Sequence, residues 1–532
     1  MHEQILMSPS NLSKTRRWVC LFAVLFGEFV VAIDMTVLNI ALPSLTAELR
    51  PTSDQQLWIV DAYSLVLAGL LVASSSLSDR WGRKRMLLSG FAVFGIASAF
   101  ILVAQTPEAI IAIRAILGVG GAMIMPATIS MVRNIFTDAK ERAFALAAWS
   151  SISGLGMAAG PLIGGFLLEH FSWHAAFVVN IPLMALGIVI GIIVLPEIRV
   201  KNPGSWDVAA ALIALAGMVS LMWGIKHLAA VMAFDALGLA AVCAGLALMA
   251  LFVVRCLRSD HPLLDVSLFR SKPFTAGIIA ALGSMFAMAA LLFLLAQWLQ
   301  LVHGYTPLEA GIRLVPMALA SIFAGMVAPA IALRIGARRT IVGGLAIVAV
   351  GMMVLVVFRN NLTYPPIMVS GCLTGFGVGS LAIASSVLQC ETPPEKASSA
   401  AAFEEISYDL GNVLGVAILG SLASIIYRIG LNPAALSQAG LDETAIATAQ
   451  ESFGAAAEIA AQTGVTELVA EGAAAFSSSL VTTAFVGGII LLAVSFLVWR
   501  LVPANIDITE DKHKAPVPQS HVSTPEAVGL RP

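Results

Sequence analysis

The chain has 532 residues, of which 58 % are hydrophobic and only 12 % charged, with a formal net charge of −2 at pH 7. Soluble domains carry about 25 % charged residues, and the mean hydropathy of +0.90 matches that deficit, so a soluble enzyme, a nucleic-acid binder and a disordered scaffold are excluded. A bilayer-spanning helix takes about 20 mostly apolar residues, so the composition describes an all-α, polytopic integral membrane protein.

Residues 1–17 form a polar tail ending in Lys14, Arg16 and Arg17, read as cytoplasmic. The apolar stretch that follows, 18–42, is too long for a signal peptide's core and has no small-x-small cleavage site, so it is a retained first helix. Hydropathy and turn signals predict thirteen more spans, near 57–78, 86–104, 108–131, 144–168, 174–195, 206–226, 233–256, 274–300, 309–333, 340–358, 363–388, 400–428 and 480–502. With a cytoplasmic N-terminus, 24 of the 30 Lys and Arg residues fall in inside segments. Four (Arg50, Lys226, Arg359 and Arg428) fall outside, and Arg114 and Arg313 lie within spans. That bias predicts that both termini face the cytoplasm.

Ionisable groups inside spans are costly and mark functional positions. In span 1, Asp34 sits 16 residues beyond Trp18, roughly 24 Å along the helix; Glu28 shares the span. In span 2, Asp61 follows Trp58 by three residues, so indole and carboxylate share a helix face. Arg114 enters span 4 at similar depth, which would let it serve either acid as an adjustable cation. A carboxylate beside such a cation can load and release protons; the alternative is a static Asp–Arg pair that only orients helices. Between spans 2 and 3 stands Ser75-x-Leu-Ser-Asp79-Arg80-Trp-Gly82-Arg83-Lys84. Asp79 there could cap the next helix or meet an arginine across a helix interface. In span 5, Gly156, Gly160, Pro161, Gly164 and Gly165 permit close helix packing, and Pro161 removes a backbone donor, so tight packing and hinging are both open.

Span 13 reads Ala-Ala-Phe-Glu404-Glu405-Ile-Ser-Tyr408-Asp409-Leu-Gly-Asn412. Glu405 and Asp409 share one face and Glu404 and Tyr408 the next. Without a basic partner in the span, this patch suits a lipophilic cation, with Tyr408 supplying a π-face; the rival reading leaves Glu404 and Glu405 solvated near the interface. Residues 429–479 are Ala- and Glu-rich, with apolar positions at helical spacing, and predict an external helical hairpin. Residues 503–532 are polar and Pro-containing, a cytoplasmic tail of disordered composition. The five cysteines are scattered, with neither disulfide nor metal spacing. No phosphate-binding Gly-x-x-x-x-Gly-Lys-[Ser/Thr] run or zinc motif occurs, so neither cofactor nor metal is expected, and any energy source is an ion or solute gradient.

These residues resemble the fourteen-span drug:proton antiporters of the major facilitator superfamily, and within it the QacA-type antiseptic efflux proteins. The likeness is carried by Asp-x-Thr-Val-x-x-x-Ala-Leu-Pro around Asp34, the 75–84 segment, and Arg114 with Gly118 and Gly120. It extends through the span-5 glycines, 172–182, 304–311, and the Glu-Glu-x-x-Tyr-Asp-Leu-Gly-Asn-Val-x-Gly-Val-Ala run at 404–417. The resemblance implies a major facilitator fold of two six-helix bundles, 18–200 and 261–502, around an inserted central helix pair, 201–260. It also implies export of organic cations (quaternary ammonium antiseptics, dyes, viologens) in exchange for protons by alternating access. Ser75 departs from the usual glycine there, and Ser321 stands in span 10 where some relatives carry an acid, which suggests a preference for monovalent cations.

The resulting expectation is a monomeric antiporter of a bacterial cytoplasmic membrane. Asp34, Asp61, Glu404, Glu405 and Asp409 bind proton or cation, Trp58 and Tyr408 line the pocket, and Arg114 couples them. Asp79, Arg80, Gly82 and Arg83 gate the conformational change. A transporter of a physiological metabolite on the same fold and a non-transporting membrane sensor remain alternatives; an integral membrane enzyme lacks visible catalytic groups.

Overall fold

In hydrocarbon every backbone donor must be satisfied within its own segment, and every regular element among the described residues is helical. The computed structural model describes residues 13–503, apart from position 137 and the stretches 200–206, 232–234, 260–263, 382, 385–391, 393–396 and 439–440. Residues 1–12, the predicted tail beyond 503 and the boundaries at 200/201 and 260/261 thus lie outside the described residues.

Helices α1 (Lys14–Leu49), α2 (Ser53–Trp81), α3 (Arg83–Phe100), α4 (Pro107–Ile135), α5 (Ala139–His170) and α6 (Asn180–Val194) come first. Then follow α7 (Val208–Val231), α8 (Ala236–Arg258), α9 (Lys272–Gln297, with a π turn at Trp298–Val302), α10 (Pro307–Ile335), α11 (Ala337–Val357) and α12 (Tyr364–Ser380). Helix α13 runs from Ala397–Leu414 through a π segment, Gly415–Gly420, into Ser421–Gly430. Three short helices, α14 (Pro433–Gln438), α15 (Glu443–Glu451) and α16 (Phe453–Thr463), precede the last long helix, α17 (Thr466–Leu501). Among the described residues eleven helices are long and apolar enough to cross a membrane. A twelfth is gained if the segments Ser53–Leu71 and Ala73–Trp81, bent by 56°, count as one span. Helix α12, at 17 residues, is shorter than those eleven.

Two predicted boundaries move. The seventh helix continues five residues past the expected end at 226, because Leu228, Ala229, Ala230 and Val231 extend its apolar run. Lys226 is therefore a helix residue, 1 % exposed, rather than an external loop charge. The last helix starts at Thr466, well before 480, so the predicted 429–479 segment holds α14–α16 and the start of the last helix.

Local chemistry explains several helix starts. Thr306 and Glu309 form a reciprocal capping box, with Pro307 in the first turn of α10; this satisfies two orphan backbone donors at a sharp turn. Helix α2 uses Thr52 and Gln55 in the same way. Packing then joins α1 to α5, α2 to α4, and α3 to α4 and α6. Later in the chain, α10 and α11 pack on α12, α9 on α13 and α17, and α11 on α17. These two groups meet where α5 crosses α10 and where α13 crosses α2. Helices α7 and α8 pack mainly on each other, and α7 leans on α2. Leu65 and Ala68 of α2, Met218 and Met222 of α7, and Val413 and Ala417 of α13 fuse this junction into one buried apolar cluster.

Candidate functional site

The in-span charges resolve into three centres. The first is built around Asp34 of α1, which is fully buried. Arg114 of α4 contacts Asp34 Oδ2 through Nη1 at 2.6 Å, and Asn180, the first residue of α6, donates from Nδ2 to Asp34 Oδ1 at 2.9 Å. The guanidinium also donates from Nε to the Ile59 carbonyl at 3.1 Å and lies 4.6 Å from the centre of the Tyr63 ring. Both carboxylate oxygens are thus engaged by helices α4 and α6. A charge-assisted contact this short inside the bundle holds α1, α2, α4 and α6 in one register.

The second centre pairs Asp61, expected to bind proton or cation, with a lysine of α7. Asp61 Oδ2 lies 2.9 Å from Lys226 Nζ, and the two side chains are 2 % and 1 % exposed. The same ammonium sits 4.2 Å from the centre of the Trp58 ring. The helix face shared by Trp58 and Asp61 therefore carries a cation already, supplied by α7. Just beyond, Trp223 stacks on His227 at 4.7 Å, and His227 Nε2 approaches Asp235 Oδ2 at 3.2 Å.

The third centre lies on α13. Asp409 is 3 % exposed, and its Oδ2 is buried without a hydrogen-bond partner among the described residues. Glu28 of α1 is within electrostatic reach of both Asp409 and Glu405, so the acidic face is shared by α1 and α13. Tyr408 donates to Glu404 Oε1 at 3.2 Å, which ties down the proposed π-face beside its acid. Tyr63 is within electrostatic reach of Asp34, Arg114, Asp409 and Glu28, so it stands between the first centre and the third. The π segment Gly415–Gly420 begins one turn past Asn412; such insertions re-aim side chains and recur at functional positions.

The turn between α2 and α3 is a local clamp. Asp79 Oδ1 pairs with Arg83 Nη2 at 2.9 Å along one helical repeat, and Arg83 Nη1 donates to the Ser130 carbonyl of α4 at 3.3 Å. Asp79 does not cap α3; that position belongs to Gly82, whose φ of +109° is one that side-chain-bearing residues rarely adopt. Arg80 is exposed. On α5, Gly156, Gly160 and Gly164 lie against Ala32, Thr36 and Val37 of α1, while Gly165 lies against Leu308 of α10. The Pro161 carbonyl faces Gly311 of α10, and α5 continues as helix across Pro161.

Two partners of the in-span acids escaped the sequence reading. Asn180 lay in the quoted 172–182 segment with no role assigned; a lone Asn opening an apolar helix was the available signal. Lys226 counted among the four external charges, although the apolar run resumes at Leu228 just beyond it. Among the described residues no cluster of His, Cys, Asp and Glu suits a metal ion.

Residues 24–416 match the sequence profile of the Major Facilitator Superfamily. The chain is 40 % identical over 496 residues to the multidrug efflux pump LfrA of Mycolicibacterium smegmatis, covering 92 % of this chain and 97 % of that protein. It is 34 % identical over 452 residues to the methyl viologen resistance protein SmvA of Salmonella typhimurium, covering 84 % and 89 %. Among solved structures, a bacterial homologue of the human lysosomal transporter Spinster shares the fold with a TM-score of 0.64 at 17 % identity, covering 92 % of this chain and 98 % of that one. A peptide transporter, POT, superposes with a TM-score of 0.59 at 14 % identity, covering 91 % and 95 %.

Proposed function

Because the chain belongs to the Major Facilitator Superfamily and is a membrane transporter rather than an enzyme, we propose that it exports lipophilic organic cations in exchange for protons. In this reading all fourteen predicted stretches cross the bacterial cytoplasmic membrane, with both termini inside. Helices α1–α6 and α9–α13 with α17 form two bundles, and α7–α8 is the inserted pair. The observation that carries the proposal is Asp409: a buried carboxylate with an unpartnered oxygen, where α13 meets α2.

An isolated carboxylate in such a place is unfavourable when ionised. It becomes favourable on gaining a proton or an apolar cation, and the two exclude each other by charge. Glu405 and Glu28 extend the patch, so the same space offers either ligand several oxygens. Exchange then follows if the two bundles rock about the α2–α13 and α5–α10 crossings: a proton is taken up outside as the cation leaves there, and is released inside as the next cation binds. The efflux function of LfrA supports export as the direction. The relative SmvA is named for resistance to methyl viologen, a dication, which sets doubly charged ions beside the monovalent preference suggested by Ser321 as substrates to compare.

The deciding experiment is proton release from detergent-purified protein on addition of tetraphenylphosphonium. Release by wild type that is lost in Asp409→Asn with binding retained supports exchange at this carboxylate. Binding by wild type without release overturns the coupling. Absence of binding overturns the cation reading and favours a metabolite substrate.

A further inference from the structure

The Trp58–Asp61 face has the chemistry of a site for an organic cation: an indole face for the apolar and quadrupolar part, and a carboxylate for the charge. In this structure that chemistry is satisfied by the ammonium of Lys226, 2.9 Å from Asp61 Oδ2 and 4.2 Å from the Trp58 ring centre. The lysine is contributed by α7, whose residues Met218 and Met222 share the apolar cluster with Val413 and Ala417 of α13. The α13 residues of that cluster begin four positions after Asp409, so the occupied cation site and the acidic face are joined through the same α2–α7–α13 junction.

We propose that Lys226 is a tethered stand-in for the transported cation. Its ammonium fills the Trp58–Asp61 site, and a substrate gains that site only by displacing it. The inserted helix pair would then set cation selectivity. A singly charged ligand that settles on the Asp409 face leaves Lys226 in place. A ligand whose second positive charge reaches past Glu405 and Glu28 toward α2 must dislodge Lys226 to gain Asp61. This inference rests on the proposed cation transport, and the tests below separate the two.

Equilibrium binding of tetraphenylphosphonium and of methyl viologen is measured on the purified full-length chain at one pH. The proteins are wild type, Lys226→Gln, Lys226→Arg and the double variant Asp61→Asn/Lys226→Gln. The expected result is that Lys226→Gln tightens methyl viologen binding on the order of tenfold, as for a site free in about one molecule in ten before the change. Lys226→Arg, which keeps the tethered charge, stays near wild type. The double variant, which leaves no unpaired buried charge, shows no tightening because the unmasked carboxylate is gone. Unchanged or weaker methyl viologen binding in a folded Lys226→Gln protein overturns the proposal.

A measurement on wild type covers the case in which Lys226→Gln does not fold. Lys226 is shielded from reductive methylation by its burial, and saturating methyl viologen should raise its modification, read by mass spectrometry against the exposed Lys14. Constant Lys226 modification under saturation overturns the proposal. Failure of wild type to bind either cation overturns the transport reading itself.

Discussion

Arg114 and Asp34 meet at 2.6 Å with side chains only 2 % and 0 % exposed, and Asn180 takes the remaining oxygen. Breaking a buried pair by removing one partner leaves an uncompensated charge and costs about 3–5 kcal/mol. Asp34→Asn should therefore lower the thermal unfolding temperature of the purified protein markedly, and Arg114→Gln likewise. The double variant should lose less than the two single losses added together, since it leaves no orphaned charge. Strict additivity in those melts would show that the pair is not coupled. Any loss of proton release in Asp34→Asn has to be read against this loss of stability.

Asp207 and Arg255 tie the start of α7 to the end of α8 through two bonds, Nε to Oδ2 at 2.7 Å and Nη2 to Oδ1 at 3.0 Å. Those bonds from Arg255, joined by the Ala210 backbone amide, hold the Asp207 carboxyl below the usual carboxylate range. The unfolded chain binds that proton more readily, so the pair's contribution is complete above the ordinary aspartate pKa of about 3.9 and fades as pH falls through the lower, folded value. Asp207→Asn should lose less than about 1 kcal/mol at neutral pH, because the arginine is nearly half exposed and screened. The difference from wild type should close on acidification. A difference that persists at pH 2 would show that the ion pair is not the cause, since asparagine caps a helix about as well as aspartate.

The helical class and the element order were legible because apolar runs and their caps are local properties. Thr306-Pro307-Leu-Glu309, for example, declares a helix start by its own hydrogen bonds. Asp34, Asp61 and Arg114 could be placed at similar depth in advance, but which acid meets the arginine was left open. What stayed hidden depends on distant partners. Asp61 reads as a free acid until α7 folds against α2, and nothing near residue 226 says which carboxylate the lysine meets. Asp79 invited a capping role, but Gly82, with its positive φ, occupies that place and leaves Asp79 to Arg83. The helical character of residues 433–463 was legible from their Ala and Glu content. Their boundary with α17 was not, since Thr466–Phe476 is as helix-prone as the segment before it.

The α5–α10 crossing supplies a test of the glycine run. A methyl group at Gly165 would lie 2.6 Å from Leu308 Cα, and backbone atoms cannot yield as a side-chain tip can. Gly165→Ala should cost about 1–3 kcal/mol, visible as a lower unfolding temperature. If the bundles move about this crossing, the same variant should slow cation transport in everted vesicles several-fold while leaving equilibrium tetraphenylphosphonium binding close to wild type. Equal losses in binding and transport would mean that Gly165 serves packing alone.

At the hairpin end of the molecule, Glu451 joins elements from both halves. Its carboxylate accepts from the Ser53 amide at 3.2 Å and lies 3.4 Å from Arg428 Nη2, while Ser53 Oγ donates to the Glu451 carbonyl. Glu458 adds a contact of 3.5 Å to Arg50. Beneath them Gly454 closes over Thr46, which is 3 % exposed. Hydrogen bonds to a charged group contribute about 1.5–3 kcal/mol, so Glu451→Gln should raise the population of the opened hairpin by about tenfold or more. The readout is the labelling rate of Thr46→Cys by a membrane-impermeant thiol reagent, with the native cysteines replaced by serine. A rate that rises in Glu451→Gln and rises again with Glu458→Gln identifies the two carboxylates as the clasp. Equal rates would mean that Phe453, buried against Tyr427 and Phe476, holds the hairpin down by apolar packing without help from the charges.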